Sequence, residues 1–110
     1  MCCMWNTKDN KSMKYYIKIH QAQGKRVIAI CDENILGMTF EDGDLRLKVS
    51  EIFYKGDLLN IEELKEFIQE YTSLNAIGEN IINELIKLGN INANKILKVK
   101  GVPYAMVFEI

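Results

Sequence analysis

The sequence predicts one α+β domain, in which an antiparallel or mixed β-sheet carries a pair of helices packed on one side. Three observations support this fold class: strand patterns fill the N-terminal half, two helical stripes follow, and a last strand pattern returns at the C-terminal end. Strands and helices do not alternate as they do in βαβ units, which argues against a doubly wound parallel sheet. A chain of 110 residues has the size of one domain.

Alternating apolar and polar side chains predict the strands of the N-terminal half. The loop at 21–25, which contains Gly24, predicts a hairpin between the first two strands. The pair Asp42-Gly43 predicts a turn, because Asp-Gly accommodates positive backbone angles. The predicted strands are 15–20, 26–31, 38–40 and 45–50, and residues 51–59 are predicted to be irregular.

Two helices are predicted in the second half. Asn60 can cap the first, which spans 60–73, and Glu63 stands three residues later, as in a capping box. The second helix is predicted to begin at Asn75 and to end at Gly89. The remaining predicted elements are a short strand at 96–99 and a closing strand at 104–110.

The composition of the chain indicates its cellular compartment and limits the classes of partner it could bind. The formal net charge of -1 lacks the strong basic excess of domains that grip nucleic acid with their whole surface. Cys2, Cys3 and Cys31 form no disulfide framework, and apolar runs fall short of the ~20 residues of a membrane span. We therefore expect a cytoplasmic protein. Residues 1–12 are interpreted as a flexible leader, upstream of a single domain at 13–110 that begins at Met13.

Cys31, Asp32 and Glu33 are the first candidates for catalysis, because a cysteine at a strand end beside two acids could be a nucleophile. His20 would complete a Cys–His pair if the hairpin brought it opposite Cys31. Adjacent carboxylates raise a thiol pKa, however, whereas a reactive cysteine needs nearby positive charge. A buried thiol followed by a polar turn is therefore the favoured interpretation. Neither zinc spacing nor a calcium loop occurs, so no metal or cofactor is expected.

The segment Asn75-Ala76-Ile77-Gly78-Glu79 is the first candidate for binding. A glycine near the start of a helix costs about 1 kcal/mol relative to alanine, which indicates that some group approaches Gly78 closely. Helix N-termini attract anions, but Glu79 would repel one at this position. Close packing is therefore favoured over a phosphate site.

A basic and aromatic patch near the C-terminal end is the second candidate for binding. Such patches can hold single-stranded RNA, although lysines near a chain end commonly serve solubility alone. The patch consists of Lys95, Lys98, Lys100, Gly101, Pro103 and Tyr104. The aromatic residues that could extend it are Phe53 and Tyr54.

Several segments together resemble the archaeal domain-of-unknown-function family 424, in order and over residues 13–110. The resembling segments are 16–20, 29–33, 36–37, 47–50, 53–56, 75–79 and 101–103. The resemblance implies a compact α+β domain of an archaeal cytoplasm, and it implies no particular activity. Tyr104 and Met106 stand where members often carry His and Gln, so the resemblance does not imply a catalytic imidazole at position 104.

The leading hypothesis is a non-enzymatic binding module with an RNA or protein partner, associated with RNA or the translation machinery. The first alternative is a small enzyme that uses Cys31 with Asp32, Glu33 or His20. The second alternative is a structural homodimer that completes a sheet through the last strand.

Overall fold

The computed structural model describes residues 13–108, which form a central sheet between two unequal layers. Two short 3₁₀ turns, Glu33–Ile35 and Ala93–Lys95, join some of its elements. The strands and helices are, in chain order, β1 Tyr15–Ala22, β2 Lys25–Asp32, β3 Thr39–Asp42, β4 Leu45–Lys48, α1 Glu51–Tyr54, β5 Asp57–Leu59, α2 Ile61–Phe67, β6 Ser73–Ile77, α3 Glu79–Leu88, β7 Leu97–Val99 and β8 Val102–Phe108.

The main sheet has six strands in the order β5-β1-β2-β6-β8-β7, and β3 and β4 form a separate hairpin. Only the β2–β6 pair among these is parallel. The sheet is therefore mixed and mostly antiparallel, which confirms the predicted fold class. No helix among residues 13–108 is long and apolar enough to cross a membrane.

The larger hydrophobic core lies on the face of the sheet that α2 and α3 cover. Alternate strand residues such as Ile17, Ile28 and Leu74 meet Leu64 of α2 and Leu85 of α3 there, and all are buried. Both major helices therefore pack on one side, as the sequence predicts, because each presents an apolar stripe to the same sheet face.

A smaller core lies on the opposite face. Tyr16, Cys31, Ile77 and Tyr104 are direct neighbours across four strands, so their side chains form one row. Val49 and parts of the β3–β4 hairpin and α1 cover this row. Segment 51–59 thus contains α1 and β5, where the sequence pattern indicated irregular structure.

The sequence prediction was wrong about residues 75–77, which belong to β6, and α3 begins at Glu79. Strand β6 is buried on both faces, because Leu74 contributes to the larger core and Ile77 to the smaller one. A strand that is buried on both faces lacks period-two alternation. Its apolar residues were therefore assigned to the apolar stripe of the helix that follows. Helix α2 also ends earlier than predicted, at Phe67.

Candidate functional site

Three segments that the sequence analysis singled out meet at one edge of the sheet. Strand β2 ends at Asp32, parallel strand β6 leads through Gly78 into α3, and the β7–β8 turn brings Pro103 alongside. Ligands of open sheets commonly bind outside the carboxyl ends of parallel strands. We call the contacts among Asp32, Gly78, Asn80, Ile81 and Pro103 the junction.

The Asp32 carboxylate closes the junction. It accepts hydrogen bonds from the backbone N–H groups of Asn80, at 3.0 Å, and Ile81, at 2.8 Å, and is only 4% exposed. Burial raises the pKa of Asp32 above its ordinary value, and the two hydrogen bonds oppose that rise. The positive end of α3 is thus already occupied by a carboxylate of the same chain.

Gly78 is required by this arrangement. Its φ of +124° is one that side chains disfavour, and a Cβ at this position would lie 2.5 Å from Cγ of Asp32. Its N–H donates to the carbonyl oxygen of Pro103 at 2.9 Å. The group that approaches Gly78 closely is therefore the Asp32 carboxylate, in keeping with the close packing that the sequence analysis favoured.

The candidate catalytic residues do not assemble. Cys31 is fully buried, and burial, followed by the charge of Asp32, raises the pKa of its thiol to about 12. His20 lies opposite Val27, four positions along the strand from the residue opposite Cys31, so the Cys–His pair does not form. Its Nε2 instead donates to the carbonyl oxygen of Phe53, at 2.9 Å, and its ring stacks on Phe53 at a centroid distance of 4.7 Å.

Glu33 lies apart from the thiol. It is exposed in a 3₁₀ turn, beside a cavity of about 180 Å³ that Asp32 also lines. Among the described residues, 13–108, no three His, Cys, Asp or Glu side chains are placed to hold a metal ion.

The basic and aromatic patch is divided between the two faces of the sheet. Lys98 lies opposite Pro103 in the β7–β8 hairpin, and both line the same cavity. The adjacent Tyr104 packs in the smaller core on the other face. Tyr54 also packs in that core, so neither tyrosine can stack on a ligand bound beside Lys98.

A cavity of about 490 Å³ opens between α3 and β7, and we call it the α3–β7 cavity. Its volume is typical of small-ligand sites, which measure about 300–1,000 Å³. Its lining is mainly apolar, with three polar side chains. The lining residues are Glu79, Ile82, Asn83, Ile86, Ala93, Ile96, Leu97, Lys98, Gly101 and Pro103.

Asn83 is the polar residue of this cavity that was not among the candidates from the sequence. It is exposed on α3, four residues after Glu79, so the two side chains share one face of the helix. The signal available in the sequence was this spacing: a polar pair beside, rather than within, the apolar stripe of Ile81 and Leu85.

These features define a small mixed α+β domain with a closed strand–helix junction beside an open, ligand-sized cavity. The chain belongs to the DUF424 family, described as a protein of unknown function, whose model matches residues 20–110. The resemblance seen in the sequence is thereby confirmed.

The fold is also similar to a crystal structure described as an uncharacterized conserved protein from Methanopyrus kandleri. The TM-score is 0.72 and the sequence identity is 27%, and the match covers 86% of this chain and 90% of that one. No curated protein matches the chain.

Proposed function

We propose that this protein is a non-enzymatic binding module of the cytoplasm, which binds single-stranded RNA at the α3–β7 cavity. The observation that carries the proposal is the coincidence of an apolar cavity with exposed polar side chains, Glu79, Asn83 and Lys98, on its walls. Unpaired bases bind proteins through their apolar faces and their hydrogen-bonding edges, and this cavity offers partners for both.

The local charge supports an RNA strand although the net charge of the chain is -1. Lys98 is exposed on the cavity wall, and Lys95 and Lys100 are exposed on the segments that flank β7. Lys98 on the wall, with Lys95 and Lys100 three and two positions away along the chain, supplies positive charge for the phosphates on either side of a bound base. Affinity from so few contacts would be modest and sensitive to salt.

Equilibrium binding of fluorescent single-stranded RNA to the full chain, followed by anisotropy across a salt series, tests the proposal. Lys98→Ala is expected to weaken binding and to reduce the slope of log K against log salt by about 1. Lys25→Ala is the matched control, because Lys25 is exposed at the start of β2, the opposite end of that strand from the junction, and does not line the cavity. Equal losses in both variants would reject the α3–β7 cavity as the RNA site, and no binding to any RNA at low salt would reject the RNA-binding function.

A catalytic role for Cys31 is less well supported by the geometry. A nucleophilic thiol must be accessible and must ionise readily, but this thiol is buried and its pKa is raised to about 12. The small-enzyme hypothesis would require the smaller core to open before any reaction.

A homodimer through β8 is a second candidate function, which one observation favours. Residues 105–108 pair with β6 on one side, whereas β7 reaches only residues 102–104 on the other. Met106 and Phe108, at 53% and 66% exposed, lie on this uncharged strand. Within residues 13–108, no strand pairs with the outer edge of 105–108, and such an edge without charged residues favours pairing with another strand, which a second copy supplies.

Light scattering of the full chain as it elutes from a sizing column tests this candidate. A dimer that Met106→Lys converts to a monomer would support β8 pairing, because an edge lysine blocks strand addition. A monomer at all concentrations would reject it.

A further inference from the structure

Glu79 and Asn83 present a specific hydrogen-bonding pattern at the mouth of the α3–β7 cavity. They are four residues apart on α3, so their Cβ atoms are neighbours on one helix face. Both are exposed, and no hydrogen bond or ion pair engages either side chain within residues 13–108. The pair therefore combines an acceptor-only carboxylate with an amide that both donates and accepts.

The apolar part of the cavity lining offers surface for the faces of a flat ring. Ile82, Ile86, Ile96 and Pro103 supply apolar surface from α3 on one side and from the β7–β8 region on the other. Such walls bind the faces of any nucleobase without distinguishing one from another. Discrimination must then come from the polar side chains at the mouth.

A carboxylate distinguishes the four bases by their donor groups. Guanine offers two adjacent donors, N1–H and the N2 amino group, which one carboxylate can accept together. Uracil offers one N–H between two carbonyl oxygens, and adenine and cytosine each place one amino group beside a ring nitrogen that would repel the carboxylate. An amide nearby can also donate to O6 of guanine.

We infer that the α3–β7 cavity is a guanine-selective site, in which Glu79 accepts from N1–H and the N2 amino group and Asn83 donates to O6. This inference rests on the proposed function, since the guanine is an unpaired base of a bound RNA strand. Lys98, on the opposite wall, is placed to contact the phosphate of that nucleotide.

The test compares short uridine-rich RNA strands that carry G, A, C, U or inosine at one central position, using the full chain. The strand with G is expected to bind about 10-fold more tightly than those with A, C or U, as for other two-bond contacts to a base. Inosine keeps N1–H and O6 but lacks the N2 amino group, so it should fall between them.

Glu79→Gln should abolish the preference for guanine while RNA binding itself persists, because the variant removes the carboxylate but keeps the side-chain shape. Glu66→Gln is the matched control: it makes the same charge change at an exposed position of α2, away from the cavity. Circular dichroism confirms that each variant is folded.

The outcomes separate the inference from the proposed function. RNA binding without a guanine preference, or a preference that Glu79→Gln leaves intact, would overturn the inference alone. No RNA binding would overturn the proposed function. Guanosine monophosphate that binds as tightly as the guanine-containing strand would support the guanine site but reject RNA as its source.

Discussion

The junction and the α3–β7 cavity are adjacent, but the Asp32 side chain of the junction is buried and hydrogen-bonded, whereas the polar side chains of the cavity are exposed. Asp32 is 4% exposed, and both of its carboxylate oxygens accept backbone hydrogen bonds from α3. One residue after Gly78, Glu79 points to an open cavity and is exposed, as is Asn83 one turn later. The same helix end therefore contributes backbone donors that already have an acceptor, Asp32, and a side-chain acceptor, Glu79, that is exposed.

This difference separates residues that stabilise the fold from residues that are available to a ligand. A buried polar group that loses its partner destabilises a protein by about 1–3 kcal/mol, whereas exposed polar groups contribute little. Sequence position alone does not distinguish the two, because Asp32, Gly78 and Glu79 all stood out as candidates. Mutations in the junction should lower the free energy of unfolding, whereas mutations in the cavity should alter the binding of RNA.

The largest effect is expected for Gly78→Ala. The added Cβ would meet the Asp32 carboxylate, and the backbone is in a region that non-glycine residues rarely adopt. We expect the free energy of unfolding to fall by about 4 kcal/mol, from strain and from weakened hydrogen bonds. Urea denaturation of the variant and the wild type measures it.

Gly43→Ala is the control for this prediction. Gly43 also has a positive φ, +65°, but nothing lies within 4 Å of the position of its Cβ. The expected loss is about 1 kcal/mol, from backbone strain alone. Similar losses in both variants would show that the contact with Asp32 is unimportant.

The next largest effect is expected for Asp32→Asn, which leaves one N–H of α3 without an acceptor. The expected loss in unfolding free energy is about 2 kcal/mol. The measurement is urea denaturation over a range of pH, since only the wild type carries a titrating group at this position.

The sign of the pH dependence follows from the raised pKa of Asp32. The folded state favours the protonated carboxyl of Asp32. The contribution of Asp32 to the free energy of unfolding is therefore complete below the ordinary pKa of 3.8, and it is lost as pH rises through the raised pKa of the folded state. The stability advantage of the wild type over Asp32→Asn should therefore shrink from acidic to neutral pH. An advantage that grows instead would mean that the hydrogen bonds outweigh desolvation.

The smallest effect on stability is expected on the cavity side. Asn83→Ala and Lys98→Ala should each change the unfolding free energy by less than about 0.5 kcal/mol, because both side chains are exposed. Any change for Asn83→Ala is expected to be a slight stabilisation, since alanine is the better helix former. A loss comparable to that of Asp32→Asn would show that these residues stabilise the fold as the junction does. The distinction between a stabilising junction and a cavity available to a ligand would then be wrong.

Local patterns predicted the parts of the fold that depend on neighbouring residues. The capping box at the start of α2 is present, with Asn60 and Glu63 each accepting the other's backbone N–H at 2.9 and 3.0 Å. The β1–β2 hairpin turns at Gln23 and Gly24, which both have positive φ. Such features are set by a few adjacent side chains, so a single sequence carries enough information.

Contacts between residues that are distant in the sequence could not be predicted from local sequence patterns. Asp32 meets the N–H of Ile81 across 49 positions, and the parallel pairing of β2 with β6 sets that contact. The conformational cost of Gly78 indicated that a group lies nearby, but not which one. Asn83 was missed because a polar residue on the exposed side of a helix looks like a solvated one until a cavity is seen beside it.

Photo-crosslinking tests directly whether the open side of α3 is the RNA site. A short RNA with 4-thiouridine beside a central guanine would be bound to the full chain, irradiated, and mapped by mass spectrometry of the peptides. We predict crosslinks within residues 79–86 and 93–103, the two segments that contain the residues lining the cavity. Crosslinks concentrated instead at the stacked pair of His20 and Phe53, on the other face of the sheet, would contradict the account.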